Sequence, residues 1–272
     1  MIRLVVCDVD GTLVKDGTCD INAEYYDVIL RLKAKGILVA IASGRQEDSI
    51  RKVFFPIEDE LIYISNDGAC VSEGKDQIFS MEMPLDVLPE LVADIQKLPG
   101  CDFAMASRDR FVYFDTASDH FMAYMDSYRF NRQLFDGYDN LPPIYHIGVY
   151  HDPKSAHPAL GLVPKYEGKV QAFVSGHEWV DFTAPGISKG AALHLIQERY
   201  GIGPEDTAVF GDQENDASML EEAEYSFAVA GSVAAKKKLA KYTAPPMLED
   251  GVLTVMKQIL ASEGEFTWQR DA

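Results

Sequence analysis

The sequence predicts an α/β protein: a parallel sheet with helices on both faces, plus an inserted second domain of α+β texture. Three observations predict it. Apolar runs ending in small polar residues alternate with helical stretches, the same alternation returns near the C-terminus, and the middle of the chain is rich in aromatics and period-two runs. Leu4 to Cys7 is a continuous apolar run that meets Asp8-Val9-Asp10-Gly11-Thr12, as a strand buried on both faces does at its sheet edge. From Asn22 to Lys35, Tyr26, Ile29, Leu30 and Leu32 with Ala23 and Ala34 predict a helix, and Gly36 stops it. Ile37 to Ala42 predicts a second strand that ends in Ser43-Gly44-Arg45. Glu47 to Phe54 then reads as helix and Leu61 to Ile64 as strand, with Ser65-Asn66-Asp67-Gly68 at its polar end, which makes a right-handed βαβ series.

Near the C-terminus, Lys189 to Tyr200 predicts a helix, Thr207 to Phe210 a strand ending at Gly211-Asp212, and Ala217 to Ala223 a short helix. Residues 1–83 and 187–272 are therefore expected to form one discontinuous, Rossmann-like core. The insertion, residues 84–186, contains a helical stretch from Val87 to Leu98 and strand-like runs at Phe111-Val112-Tyr113-Phe114 and Ile147-Gly148-Val149-Tyr150, with crossings near Pro84 and Pro185. The Lys236-Lys237-Lys238 run is expected on the solvated face of a helix.

With 272 residues, 47% of them hydrophobic, the chain can bury a large core; its formal net charge of −18 argues against nucleic acid or an anionic membrane and for a small-molecule partner. Cys7, Cys19, Cys70 and Cys101 lie far apart, without the spacing of a zinc site or the density of a disulfide scaffold, so they read as reduced thiols. The apolar start is broken at once by Asp8, unlike a signal peptide, and no apolar run reaches transmembrane length. A soluble cytoplasmic protein is the expectation, and nothing in the pattern fixes an oligomeric state.

Asp8 and Asp10, two carboxylates directly after a buried strand and followed by Gly11-Thr12, are the sharpest chemical signal. Like charges so close make sense if a divalent cation sits between them or one holds a proton to act as an acid. An isolated Asp-x-Asp also reads as a capping or solvated turn, and context decides between the two. Asp8-Val9-Asp10-Gly11-Thr12-Leu13 resembles the first motif of haloacid dehalogenase (HAD) superfamily phosphatases. Ser43-Gly44-Arg45 resembles their second motif, Lys189 in Gly186-Ile187-Ser188-Lys189-Gly190 the third, and Gly211-Asp212-Gln213-Glu214-Asn215-Asp216 the fourth. With Asn66-Asp67-Gly68-Ala69 and Glu249-Asp250-Gly251-Val252, the set is similar to the Cof-type branch with an α/β (type IIB) cap inserted between the second and third motifs.

The resemblance implies a magnesium-dependent phosphatase of small phosphorylated metabolites, sugar phosphates first. Asp8 would be the nucleophile, Asp10 the general acid and base, and Lys189 the neutralising cation. Ser43 and Gly44 would bind the phosphoryl group, and Asn215 would either bind it too or orient Lys189. Mg²⁺ would rest on the side chains of Asp8 and Asp212, on the Asp10 carbonyl and, through water, on Asp216. For Asp212 and Asp216, capping of the following helix is the competing reading, and Arg45 reads as a surface ion pair. Asn66 and Gly68 either shape the pocket floor or simply turn the chain out of its strand, and Thr12 either holds the aspartate loop or makes a local turn bond. Two departures from the family pattern, Asp67 and Gly231-Ser232-Val233, are read as remote from the chemistry. Substrate choice is expected in the cap, with Arg108, Arg110, Arg129, His146, His177, Trp179 and Asp181 as candidates, set against surface pairing, core packing or turn formation. A phosphomutase, or a non-catalytic binding protein on the same fold, are the rival functions.

Overall fold

The central strand of a computed structural model of the chain is β1, Leu4–Asp8; residues 1–109, 112–114, 118–151, 157–176, 178–262 and 266–268 are described. Every residue of β1 is buried, because Leu4 and Val6 face one apolar layer while Val5 and Cys7 face another. On one side β1 pairs in parallel with β2, Leu38–Ala42, which pairs with β3, Ile62–Ser65. Two antiparallel strands, β4 at Cys70–Glu73 and β5 at Asp76–Ser80, complete that edge, a hairpin that the sequence pattern does not announce.

The chain then builds a second sheet from β6, Cys101–Ser107; β7, Val112–Phe114; β8, Arg132–Leu134; β9, Ile144–His151; β10, Gln171–Gly176; and β11, Trp179–Thr183. It returns to the first sheet through β12, Thr207–Gly211; β13, Tyr225–Val229; and β14, Tyr242–Ala244. The first sheet runs β14-β13-β12-β1-β2-β3-β4-β5 and the second β10-β11-β9-β6-β7-β8.

Helices α1, Glu24–Ala34, and α2, Glu47–Val53, fall where the periodicity places them, and α3, Leu88–Ile95, is shorter than its apolar stretch suggests. The remaining helices are α4, Asp119–Ser127; α5, Lys189–Tyr200; α6, Ala217–Glu221; α7, Val233–Lys236; and α8, Gly251–Ala261. Residues of α1 and α8 bury one face of the first sheet, and those of α5, α6 and α7 bury the other. Helix α7 ends at Lys236, so the three lysines are exposed at its C-terminus, where cations favour the helix dipole, and not along a face. Phe111 lies outside the described residues.

The second sheet is two-sided in a different way. Phe103, Met105, Ile147, Val149, Val180 and Phe182 pack with α3 in an apolar layer. Their neighbours in sequence, Ala104, Ala106, His146, Gly148 and Asp181, point to the opposite face and line a cavity shared with the end of β1. Topology thus sets the C-terminal ends of β1, β2, β3 and β12 opposite one face of the second sheet.

Candidate active site

Four strand ends converge. Asp8 is the last residue of β1, Ser43 follows β2, Asn66 follows β3 and Asp212 follows β12. Parallel strands must bring their C-terminal ends to one edge, so residues far apart in sequence meet there. Gly11 makes the approach possible: its φ is +75°, and a side-chain carbon on it would fall 2.4 Å from Asp212 Oδ2. The Thr12 hydroxyl donates to Asp212 Oδ1 at 3.2 Å, so Thr12 ties the first motif to the fourth, beyond any local turn bond.

Lys189, the first residue of α5, is 1% exposed, and its Nζ lies 2.7 Å from both Asp8 Oδ1 and Asp216 Oδ1. Burial works against its charge, but Asp216 and Asp8 outweigh that and hold its pKa well above the usual lysine value. Asp216 Oδ2 accepts from the backbone N–H of Asp212 and of Gln213, at 2.8 and 2.9 Å. Those bonds close the short Glu214–Asp216 turn, and Asp216 makes no side-chain cap on α6, so the helix-capping alternative does not account for it. Asp8, Asp212 and Asp216 each present an oxygen within 4.8 Å of the others. With no cation present, burial, reinforced by Asp216 and opposed by Lys189, pushes the Asp8 carboxyl up to about 7; burial with Asp8 and Asp216 pushes Asp212 up to about 10. Three hard oxygen donors, crowded and short of positive charge, suit a divalent cation of the Mg²⁺ type far better than a thiophilic metal.

Asp10 stands apart from that cluster. Arg45 grips its carboxylate with Nε to Oδ2 at 2.7 Å and Nη2 to Oδ1 at 2.5 Å. Arg45 is buried, with its side chain 3% exposed, and its guanidinium lies 4.3 Å from the ring centroid of Tyr128. The expectation of a surface pair for Arg45 is therefore wrong. A planar fork held against an aromatic face positions a carboxylate in a way an exposed pair cannot. Ser43 is buried with its Oγ accepting from the Arg45 N–H at 3.1 Å, and Gly44 lines the cavity beside it.

Asn215 donates to Asp67 Oδ1 at 3.1 Å and not to a group of the Lys189 cluster. Asp67 is 1% exposed, and its charge also bears on Lys189 and on Asp181, so reading it as remote from the chemistry is a second error. Asn66, φ 51°, and Asp67, φ 56°, form a left-handed pair after the buried strand, a conformation that asparagine and aspartate tolerate. Ser232 departs from its expected motif as a plain cap of α7, accepting from Ala235 N–H.

A cavity of about 280 Å³ joins Asp8, Asp10, Ser43, Gly44, Lys189, Asp212 and Asn215 to the face of the second sheet. Of the cap candidates, His146, Trp179 and Asp181 line it. Asp181 is central in β11 and buried, no turn former, and burial next to Asp67 holds its carboxyl well above the usual range. Arg108 is exposed and 3.7 Å from Glu82, and Arg129 is exposed too, so neither lines the cavity. Arg110 and His177 lie outside the described residues.

A buried carboxylate beside a buried lysine, a cluster of three carboxylates and a second aspartate held by an arginine thus meet at the edge of a parallel sheet. The chain belongs to the haloacid dehalogenase-like hydrolase family, whose pattern matches residues 5–256, and is a phosphoric monoester hydrolase of its Cof-type branch. Over 97% of its length it is 28% identical to the 5-amino-6-(5-phospho-D-ribitylamino)uracil phosphatase YbjI of Escherichia coli, covering 98% of that protein. It is 29% identical to the enzyme of the same activity, YitU, from Bacillus subtilis, over 94% of this chain and 96% of that one. A crystallised Eubacterium rectale protein is 35% identical and superposes with a TM-score of 0.82, covering 95% of this chain and 99% of the other. The HAD subclass IIB sugar phosphatase BT4131 shares the fold at 22% identity, with a TM-score of 0.80 over 94% and 98% of the two chains.

Proposed function

We propose that this protein hydrolyses small phosphomonoesters, with the alcohol of a sugar or polyol as the leaving group, in a magnesium-dependent reaction through an aspartyl-phosphate. The observation that carries this reading is Lys189 Nζ bridging Asp8 and Asp216 at 2.7 Å, inside the acidic cluster completed by Asp212. Mg²⁺ held by Asp8, Asp212 and the Asp10 carbonyl, with Asp216 behind, would neutralise charge on the phosphoryl oxygens. Lys189 holds Asp8 Oδ1, and Oδ2 attacks phosphorus as the P–O bond to the leaving group breaks. Asp10 donates its proton to the departing alkoxide, then takes a proton from the water that attacks the aspartyl-phosphate and frees Asp8. Ser43, the Gly44 N–H and Asn215 line the phosphoryl end of the cavity as binding groups.

On this reading residues 1–83 and 187–272 are the catalytic core and residues 84–186 the cap; separate apolar layers under the two sheets support the division. A cytoplasmic location belongs to the same reading, since all four cysteines are unpaired thiols; among the described residues no helix is long and apolar enough to cross a membrane. Polyol esters are favoured because the Escherichia coli and Bacillus subtilis relatives described above are named for a phosphoribityl compound. Release of phosphate from p-nitrophenyl phosphate by purified protein, with Mg²⁺ and with chelator, tests the reading; equal rates in both would end the metal-dependent proposal.

A further inference from the structure

A pair of buried carboxyl groups outside the acidic cluster bridges the two sheets. Asp67 lies just beyond β3 of the first sheet, and Asp181 is central in β11 of the second. Each rests against a glycine. A side-chain carbon on Gly44 would fall 3.0 Å from Asp67 Oδ2, and one on Gly148, the register partner of Asp181, 3.0 Å from Asp181 Oδ1. The two carboxyl groups are hydrogen-bonded to each other.

Two carboxylates cannot make that bond, because neither has a hydrogen to give; one of the pair is an acid. Asp67 already accepts the Asn215 amide N–H through Oδ1 at 3.1 Å and faces the Lys189 ammonium. Its Oδ2 is buried, and with every acid ionised no donor among the described residues reaches it. A buried acceptor in that state is costly, and an Asp181 hydroxyl is the donor that satisfies it.

The groups that face the pair are consistent with a proton on Asp181. Burial and the Asp67 charge favour the neutral acid there, against the Ser175 hydroxyl on β10 and the Lys189 charge on α5, which favour the ion. His146 on β9 also faces Asp67, but burial outweighs that attraction and favours its neutral ring. Asn215 is the remaining polar neighbour, and it does not titrate.

We propose that Asp181 carries a proton shared with Asp67, and that this acid–carboxylate bond latches the second sheet over the first while steadying Asn215 and Lys189 from behind. Asp67 and Asp181 are then positioning residues, acting through Asn215 and Lys189. Were the two sheets to part, water would reach both carboxyl groups and both would ionise at neutral pH, as ordinary ones do. Bringing them together takes up one proton from water. The latch therefore weakens by up to about tenfold for each unit of pH above the ordinary carboxylate range, until the paired acid itself ionises. The pairing does not depend on the phosphatase reading; its effect on turnover does.

The pairing is tested without substrate, on the full-length protein with Mg²⁺, by the infrared difference spectrum between the parent and Asp181→Asn at pH 7. A carboxylic acid C=O band in the parent, absent from the variant, is expected; a carboxylate band in its place overturns the inference. Thermal unfolding at pH 6 and pH 8 then tests the latch. An asparagine at position 181 donates an N–H to Asp67 and does not titrate, so the parent should lose more of its melting temperature between the two pH values than Asp181→Asn does. Asp181→Ala supplies no donor and should melt below Asp181→Asn at pH 6. Asp67→Asn also removes one charge of the pair and should give the same flattened profile, which keeps the test open if Asp181→Asn fails to fold. The parent's pH dependence retained in the asparagine variants overturns the latch. With p-nitrophenyl phosphate, the parent's kcat/KM should fall more steeply from pH 6 to pH 8 than that of Asp181→Asn, by up to about tenfold per unit; parallel profiles remove the positioning role. No turnover by the parent, beside the expected infrared and melting results, overturns the phosphatase reading and leaves the latch standing.

Discussion

The edge of the first sheet and the facing surface of the second line one cavity but are built on opposite principles. At the edge, the site is made of charges, Asp8, Asp10, Asp212, Asp216, Lys189 and Arg45, each held by a partner within 3.2 Å or crowded into the acidic cluster. On the facing surface it is made of space and rings: Ala104, Gly148, Trp179 and Tyr124. Charges must be placed to a fraction of an ångström and tolerate few alternatives, so they sit in short motifs fixed to strand ends. A lining of small residues and rings needs only volume and a flat wall, which many residue combinations supply. The charges are therefore written in local motifs, and the residues of the facing surface are dispersed along the chain.

Perturbing the charged edge should cost most. Asp8→Asn removes the nucleophile and should lower kcat by at least about 10⁴-fold in a phosphate-release assay, and retention of metal-dependent turnover would falsify the covalent route. Lys189→Met leaves Asp8 and Asp216 facing each other without their shared cation. A fall in kcat of about 10³-fold is expected, with a loss of roughly 3 kcal/mol in urea unfolding at neutral pH. Arg45→Ala frees the Asp10 carboxylate from its bidentate hold and should reduce kcat by about 10²-fold. Arg45→Lys should recover little of that, since an ammonium cannot reproduce the planar fork; full recovery would show that only charge matters there.

The smallest effect sharpens the electrostatic half of the comparison. Asp8 and Asp212 have raised pKa values in the metal-free protein, about 7 and about 10. As pH rises above the ordinary carboxylate range, the unfolded chain gives up protons that the native cluster still holds. Metal-free stability therefore falls with rising pH until each folded-state pKa is passed. Mg²⁺ relieves the ionised cluster, so its thermal stabilisation should be larger at pH 8 than at pH 6, at roughly 2–4 °C for each kcal/mol gained. Equal shifts in a melting experiment at the two pH values would place cation binding outside this cluster.

Helix α5 matches its expected span, Lys189–Tyr200, residue for residue, and β1, β2, β3 and β12 each fall within about a residue of theirs. Those elements obey strong periodicity and have sharp ends, because a strand buried on both faces turns polar abruptly at the sheet edge. Asp8, Lys189, Asp212 and Asp216 were singled out by the resemblance of their motifs to a known family, and the fold brings them together. Arg45 and Asp67 were misjudged because an arginine after a strand and an aspartate in a turn are locally indistinguishable from surface residues. Only the partners decide, Asp10 and Tyr128 for Arg45 and Asn215 for Asp67, and these lie up to 148 positions away in sequence. The far end of the cavity was the least legible. Alanine, glycine and tryptophan in antiparallel strands carry no motif, and their joint meaning comes from the register of β6, β9 and β11.

By itself the sequence determined the layered α/β architecture, because burial periodicity and strand-end polarity are encoded over a few consecutive residues, and it marked the charges of the candidate site through the resemblance of four short motifs to a known family. Tertiary structure alone decided that Lys189 sits between two carboxylates, that Arg45 commands Asp10, and that the missing side chain of Gly148 lets Trp179 lie against β9. These are relations between distant segments, and their energies depend on distance and burial, quantities that exist only once the chain has folded.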